Sequence, residues 1–421
     1  MVYYGELADA STTVSLWADE VELIVDDQPQ RLPCAIVLET DPRPMLLFRI
    51  SGLDPWMVLR PQRQFSLHFV RADITCAAFI ASSDDGVIAF TPNTEPIAVG
   101  TSQSLAHVEF DLINFPHFFG MATPTTRLPD DHLDITGAGW ELQVRPRRQS
   151  PETAAFRSTL YAVTHSCTLS KHTRADFSSK DAQAFLVVLH DALSFAAGQW
   201  VGQVFVGGFD SREQMVWQQW GTGRLHPHLG HVDTWFDRHH GNTLGEILPG
   251  LLVVQHDPVR AKNIHSAIYW YIRASGIAPG VDGGIILLQA ALELLSWQHF
   301  IIDANAGPPK QTAKAPASDR IRLLLQSCGI PTAIPPGLTD LAAIATKSNW
   351  QDGPKTLAAV RNLLVHPNKQ HPVPFYDAWR LAEWYVELVL LHMMSFNGEY
   401  SNRTKAQRWV GAVEPVPWAT A

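Results

Sequence analysis

The feature of this 421-residue sequence that most limits its fold is a change of hydrophobic period near Asp257. Before it, apolar residues come in runs of strand length: "VELIV", "CAIVLE", "PMLLFRI", "FSLHFV", "GVIAF", "AHVEFDLI" and "WELQVRP". Turn-forming stretches such as "DDQPQ", "DPRP", "SSDDG" and "TPNTEP" separate them. After it, the spacing is helical, and "DPVRAKNIHSAIYWYIRAS" opens with Asp257 as an N-cap and Pro258 at the first helical position. The pattern predicts an α+β protein, β-rich first and helical second, and the length calls for more than one core.

Three regions follow. Residues 1–150 read as an antiparallel sandwich or barrel-like domain; the pattern does not give its role, and a sensing or regulatory one is the expectation for it. Residues 151–255 are mixed: "HSCTLS" is strand-like, "DAQAFLVVLHDALSFAAG" is helical, and "WVGQVFVGGFD" with "EQMVWQQWG" reads as a hairpin. Residues 256–421 read as a helical bundle in which "GGIILLQAALELLSWQHFI", apolar nearly all round, is the buried central helix. The last long helix, "FYDAWRLAEWYVELVLLHMMSF", places Phe375, Trp379, Ala382, Val386, Leu390 and Met393 on one side. Asp377, Arg380, Glu383 and Glu387 mark it as amphipathic. No stretch reaches the roughly 18 uncharged apolar residues of a membrane span, and no secretory signal opens the chain, so a cytoplasmic location without membrane contact is expected. Cys34, Cys76, Cys167 and Cys328 show no paired metal-ligand spacing and read as reduced core residues.

Charge divides unevenly. Residues 1–255 carry 17 Lys and Arg against 29 Asp and Glu, a net of −12, whereas residues 256–421 carry 15 against 12, a net of +3. A polyanion would be met by the second part.

Within that part lies "RNLLVHPNK", residues 361–369. On an ideal helix Arg361 and His366 diverge by about 140°. Pro367 changes this, because the residue before a proline is pushed out of the αR region, leaving His366 at a frayed helix end able to turn toward Arg361. Asn362 adds a donor and an acceptor beside them. The Arg-x4-His spacing alone is not diagnostic: it occurs four times, at Arg63/His68, Arg127/His132, Arg260/His265 and Arg361/His366. Only the last combines an adjacent polar residue, buried-type aliphatics and a helix end.

"RNLLVH", behind the buried helix "LQAALELL" and before a long closing helix, resembles the HEPN (higher eukaryotes and prokaryotes nucleotide-binding) superfamily, particularly its bacterial abortive-infection, ApeA-like members. The resemblance covers about residues 257–396, a third of the chain. It implies metal-independent cleavage of RNA at a site shared by two subunits of a homodimer, with no cofactor, in antiviral defence or growth arrest. A protein or phage trigger would act at the N-terminal region. Arg361, Asn362 and His366 would be catalytic: the histidine transfers a proton, the arginine binds phosphoryl oxygens through its forked donors, and the asparagine assists. Structural use of the same residues, capping carbonyls at a helix C-terminus, is the plain alternative. At the level of the whole protein, the alternative is a non-catalytic RNA-binding or dimerisation module with a ligand-binding β domain.

Other residues carry weaker signals. Glu293, the lone charge in "IILLQAALELLSW", needs a cation if buried, Arg361 or Arg322, and would support the motif arginine or form a structural ion pair. The histidine-rich loop holds His226, His228, His231, Asp233, Asp237, His239 and His240, yet matches no established metal spacing and reads as a solvated loop. Were it a metal site, activity would be sensitive to chelators. Cys167, near His165 and His172, reads as a buried structural thiol rather than a nucleophile. Lys310 and Lys314 read as linker residues rather than RNA contacts, and Trp270, Trp297, Trp379 and Trp384 as core rather than stacking platforms.

Overall fold

The computed structural model describes residues 13–25, 28–53, 65–84, 86–119, 132–147, 160–227, 232–276, 280–303, 315–366, 373–405, 409 and 411–420. The architecture is α+β, in two compact units assembled from discontinuous stretches. The first comprises residues 1–115, 139–184 and 201–230, the second residues 116–138, 185–200 and 231–421.

In the first unit, β1 (Thr13–Val25), β2 (Gln28–Glu39), β3 (Met45–Ser51), β4 (Phe65–Phe69), β5 (Ile74–Asp84) and β6 (Val87–Pro92) close into a barrel in the order β1-β2-β3-β6-β5-β4. Closure is antiparallel through β1 and β4, with Val21 opposite Phe69. Alternation fills the inside: in β4, Phe65, Leu67 and Phe69 are buried while Ser66 is exposed and His68 intermediate. Phe48 packs edge-on against Phe69 at 4.8 Å, and Phe69 against Trp220 at 5.7 Å, so aromatic side chains occupy this core.

The same unit holds β7 (Ile97–Val99), β8 (His107–Ile113), β10 (Trp140–Pro146), β11 (Val163–Lys171), β12 (Gly202–Phe209) and β13 (Met215–Trp220), six strands of a seven-stranded sheet. The expected hairpin is β12 with β13, antiparallel, Val206 opposite Gln219.

The second unit carries β9 (Leu133–Gly137) and is otherwise mainly helical. Its helices include residues of α1 (Ser179–Ala197) from 185 onward, then α2 (Thr243–Val254), α3 (Pro258–Ser275), α4 (Gly280–Trp297), α5 (Ala317–Ser327), α6 (Thr339–Lys347), α7 (Gly353–Val365) and α8 (Phe375–Met393). Asp257 caps α3 as expected, its Oδ1 accepting the N–H groups of Val259 at 2.9 Å and Arg260 at 3.2 Å. The α4 sequence Gly280–Phe300 is long and apolar enough by composition to cross a membrane, even though it contains Asp282 and Glu293. Here it is a core helix, with Ile285, Leu288, Ala291, Leu292 and Leu295 wholly buried.

The last helix differs from the amphipathic expectation. Along α8, residues 381–391 are all buried, Glu383 and Glu387 included at 0% exposure. Arg403, from the segment beyond the helix, neutralises them. Its Nη1 pairs with Glu383, while Nε and Nη2 donate to the two Glu387 oxygens at 3.0 and 2.7 Å. Glu387 also accepts from the Tyr271 hydroxyl at 2.6 Å and the Trp235 N–H at 3.0 Å, and Ser275 donates to Glu383 at 2.8 Å. Buried carboxylates survive because each is paired and hydrogen-bonded.

Candidate active site

The motif rides on α7, whose start is fixed from three directions. Asp352 caps it by accepting the Lys355 N–H at 2.9 Å, and its carboxylate also pairs with Arg322 of α5. That bond is the largest cause holding the Arg322 guanidinium above its ordinary value. Gly353 opens the helix where any Cβ would overlap the Tyr385 hydroxyl of α8, so glycine permits the close approach. Thr356, Leu357 and Val360 face inward and are buried.

The other end faces water. The helix stops at His366, which takes φ −127° and ψ 79°, outside the αR region, with its N–H bonded to the Asn362 carbonyl at 2.9 Å. Departure from the αR region is what the proline rule predicts, although ψ stops short of the extended range and Pro367 itself lies outside the described residues. His366 and Asn362 are exposed and Arg361 is half-buried. Arg361 donates to the Asn362 side chain at 3.3 Å. The structure therefore joins Arg361 to Asn362 and sets His366 one turn further on. Among the described residues, no hydrogen bond links Arg361 to His366.

Glu293 takes a partner other than the two expected. It pairs with Arg320 at 2.8 Å and is 36% exposed. Arg322 is engaged by Asp319 and Asp352 instead. The pairing of Glu293 with Arg361 or Arg322 is thus replaced by a half-exposed ion pair to a neighbouring turn of α5, and no supporting contact to the motif is seen.

The histidine-rich stretch is less solvated than its sequence suggests. Trp235 is wholly buried, and Asp237 caps the turn Arg238–His240 by accepting the His239 N–H at 2.8 Å. Burial pushes the Asp237 carboxyl up, but bonds from the Gly411 and His239 N–H groups and from His240 outweigh it and leave the group below its usual range. The Asp233 carbonyl accepts from Arg403, and the His226 carbonyl from Asn114. His228 and His231 lie outside the described residues, as do Lys310 and Lys314. Among the described residues, no cluster of three or more His, Cys, Asp or Glu side chains could hold a metal.

Cys167 sits in β11 at 3% exposure, and burial pushes its thiol well above the usual value, which makes it inert rather than nucleophilic; His165 beside it is buried and His172 exposed. Burial likewise pushes the Cys34 thiol up to about 12. Trp384 is core and donates to the Tyr400 hydroxyl at 3.0 Å; Trp379 is half-buried and donates to the Ala274 carbonyl, Trp270 is half-buried, and Trp297 is 44% exposed.

One constellation was not singled out from the sequence. Asp191, whose side chain is 2% exposed, accepts from His265 Nδ1 at 2.8 Å, with His190 Nδ1 at 3.8 Å on the other oxygen. Burial raises the Asp191 carboxyl, the hydrogen bonds and charges of the two imidazoles lower it, and the balance is downward. His190 stacks on Trp200 at 5.1 Å. The His265 spacing to Arg260 is in the sequence, but Asp191 lies on another helix and no local pattern connects them.

Together these features define an α+β chain with a β-barrel unit and a helical unit that presents a polar Arg-Asn-His helix end. Known proteins match it at the level of domains. Residues 257–414 match the family described as the YopA C-terminal domain, and residues 100–230 the YopA central domain. The chain is 26% identical over 334 residues to the SPbeta prophage-derived uncharacterized protein YopA of Bacillus subtilis (strain 168), a similarity spanning 77% of this chain and 74% of that protein. No solved structure matches the chain. Arg361, His366, Arg403 and His265 fall within the C-terminal match, and Asp191 within the central one.

Proposed function

We propose that the helical unit is a HEPN-type endoribonuclease that cuts cellular RNA without a metal cofactor, in phage defence or growth arrest, under control of the N-terminal region. The observation that carries this reading is the end of α7. An exposed asparagine and histidine stand there beside a half-buried arginine, the histidine is released from helical geometry, and Arg361 is spent on no ion pair among the described residues. A residue kept only to cap its own helix would turn its side chain back to the last carbonyls.

The chemistry suits those groups. The ribose 2′-hydroxyl gives its proton to the His366 imidazole as the 2′-oxygen bonds to the adjacent phosphorus. The bond to the 5′-oxygen breaks, and that oxygen takes up a proton, which leaves a 2′,3′-cyclic phosphate and a 5′-hydroxyl. Arg361 holds the phosphoryl oxygens as negative charge builds on them. Two copies of the chain bring two such ends to one RNA. The name of the Bacillus relative records a prophage origin, which is consistent with a role at the contest between phage and host.

Purified protein incubated with total RNA in EDTA tests the proposal. The wild type degrades the RNA, and the Arg361→Ala and His366→Ala proteins do not. Full activity in the His366→Ala protein rejects it.

A further inference from the structure

The helix α3 carries Arg260, Lys262, His265 and Arg273 and no Asp or Glu, in a chain whose net charge is −9. Arg260 is turned inward, its Nη2 donating to the Met393 carbonyl at 3.2 Å. Asn263, Tyr271 and Ser275 bond to Gln298, Glu387 and Glu383, and the other polar groups share one face. At about 100° per residue, Lys262, His265, Ser266, Tyr269 and Arg273 fall within an arc of roughly 100°, along a track of about 16 Å. Lys262 and Arg273 at its ends are exposed, and neither takes part in an ion pair among the described residues. His265 is 41% exposed and is clamped by Asp191, which holds Nδ1 and so turns the Nε2 edge of the ring away from the buried carboxylate. Tyr269, half-buried, is braced against Trp200 at 6.1 Å.

We infer that this face of α3 is the track that holds the phosphodiester backbone of single-stranded RNA, which deepens the ribonuclease reading and rests on it. The cations at the two ends offer hydrogen-bond donors to phosphate oxygens, with the His265 imidazole and the Tyr269 ring between them. The aromatic ring set among those donors is the arrangement on which a base can stack. A lipid surface would instead call for a broad apolar flank, and the exposed apolar residues at this face are confined to Pro258 and Val259 in its first turn.

The test separates the track from the chemistry. In a His366→Ala background, where RNA survives, binding of a labelled oligouridylate is measured by anisotropy across a range of KCl, with and without Lys262→Ala and Arg273→Ala. Losing two phosphate contacts lowers the slope of log affinity against log salt by about 1.4, at roughly 0.7 per contact for a single strand. The Lys262→Arg and Arg273→Lys exchanges keep the slope. Unchanged affinity and slope in the alanine protein overturn the assignment, as does binding of phosphatidylglycerol vesicles through these residues with none to oligouridylate. If the slope falls while the His366→Ala protein still cuts RNA, the track stands and the catalytic assignment fails. If His366 controls cleavage and the slope does not move, the track alone fails.

Discussion

Two arginines in the helical unit are used in opposite ways. Arg403, 3% exposed at its side chain, is consumed by the carboxylates of Glu383 and Glu387, the Tyr271 hydroxyl and the Asp233 carbonyl. Arg361, at the end of α7, is half-buried, bonds the neighbouring Asn362 and joins no ion pair among the described residues. The first is a counter-charge that lets α8 run through the core with two acids on it. The second does no comparable work for the fold. Cost separates them: a cation in the core must answer for its own desolvation and that of its partners, whereas one at a helix end remains available to a ligand.

The contrast can be tested by removing each member in turn. Arg403→Ala leaves two carboxylates buried without their cation and costs about 3–5 kcal/mol, read as a fall in the urea midpoint of the full chain. Tyr271→Phe withdraws one hydroxyl from Glu387 and costs less, about 1.5–3 kcal/mol, the range for a bond to a charged group. Asp237→Ala loses a cap worth about 1 kcal/mol, and its effect depends on pH. Because the folded Asp237 carboxyl is held below its usual value, its contribution is present above about pH 3.9 and fades as pH falls through the folded value. The midpoints of wild type and Asp237→Ala therefore differ most at neutral pH and draw together on acidification. Glu293→Gln breaks a half-exposed pair with Arg320 and moves stability by less than about 1 kcal/mol. Arg361→Ala changes it least, within about 0.5 kcal/mol, while abolishing RNA cleavage. A large loss of stability there would place Arg361 beside Arg403 and dissolve the contrast.

Much of the fold was legible because local pattern decided it. The strand-length runs became β1 to β4, β6, β8 and β10, Asp257 and Pro258 opened α3, and α7 ended at His366. β5 went unread because its outward positions include Phe79, 45% exposed, and Ala81 rather than polar residues, and one end is Ser-rich, which hides the period. Joining residues 116–138 and 185–200 to the helical unit depends on long-range packing that no linear boundary at 150 or 255 conveys. Glu383 and Glu387 looked like a solvent face because their cation lies beyond the helix in an aperiodic stretch. The run "LAEWYVELVLL", apolar on every side of the two acids, was the available sign of burial. Glu293 found Arg320 because Arg322, two residues on, points toward the start of α7, where Asp352 engages it.

The most direct test of the catalytic assignment is the chemistry of the cut ends. A defined oligoribonucleotide incubated with the wild-type protein in EDTA, analysed by 31P NMR and mass spectrometry, should yield 2′,3′-cyclic phosphate and 5′-hydroxyl termini, with none formed by the His366→Ala protein. Cutting that persists without His366, or that leaves 5′-phosphate ends, would contradict the account.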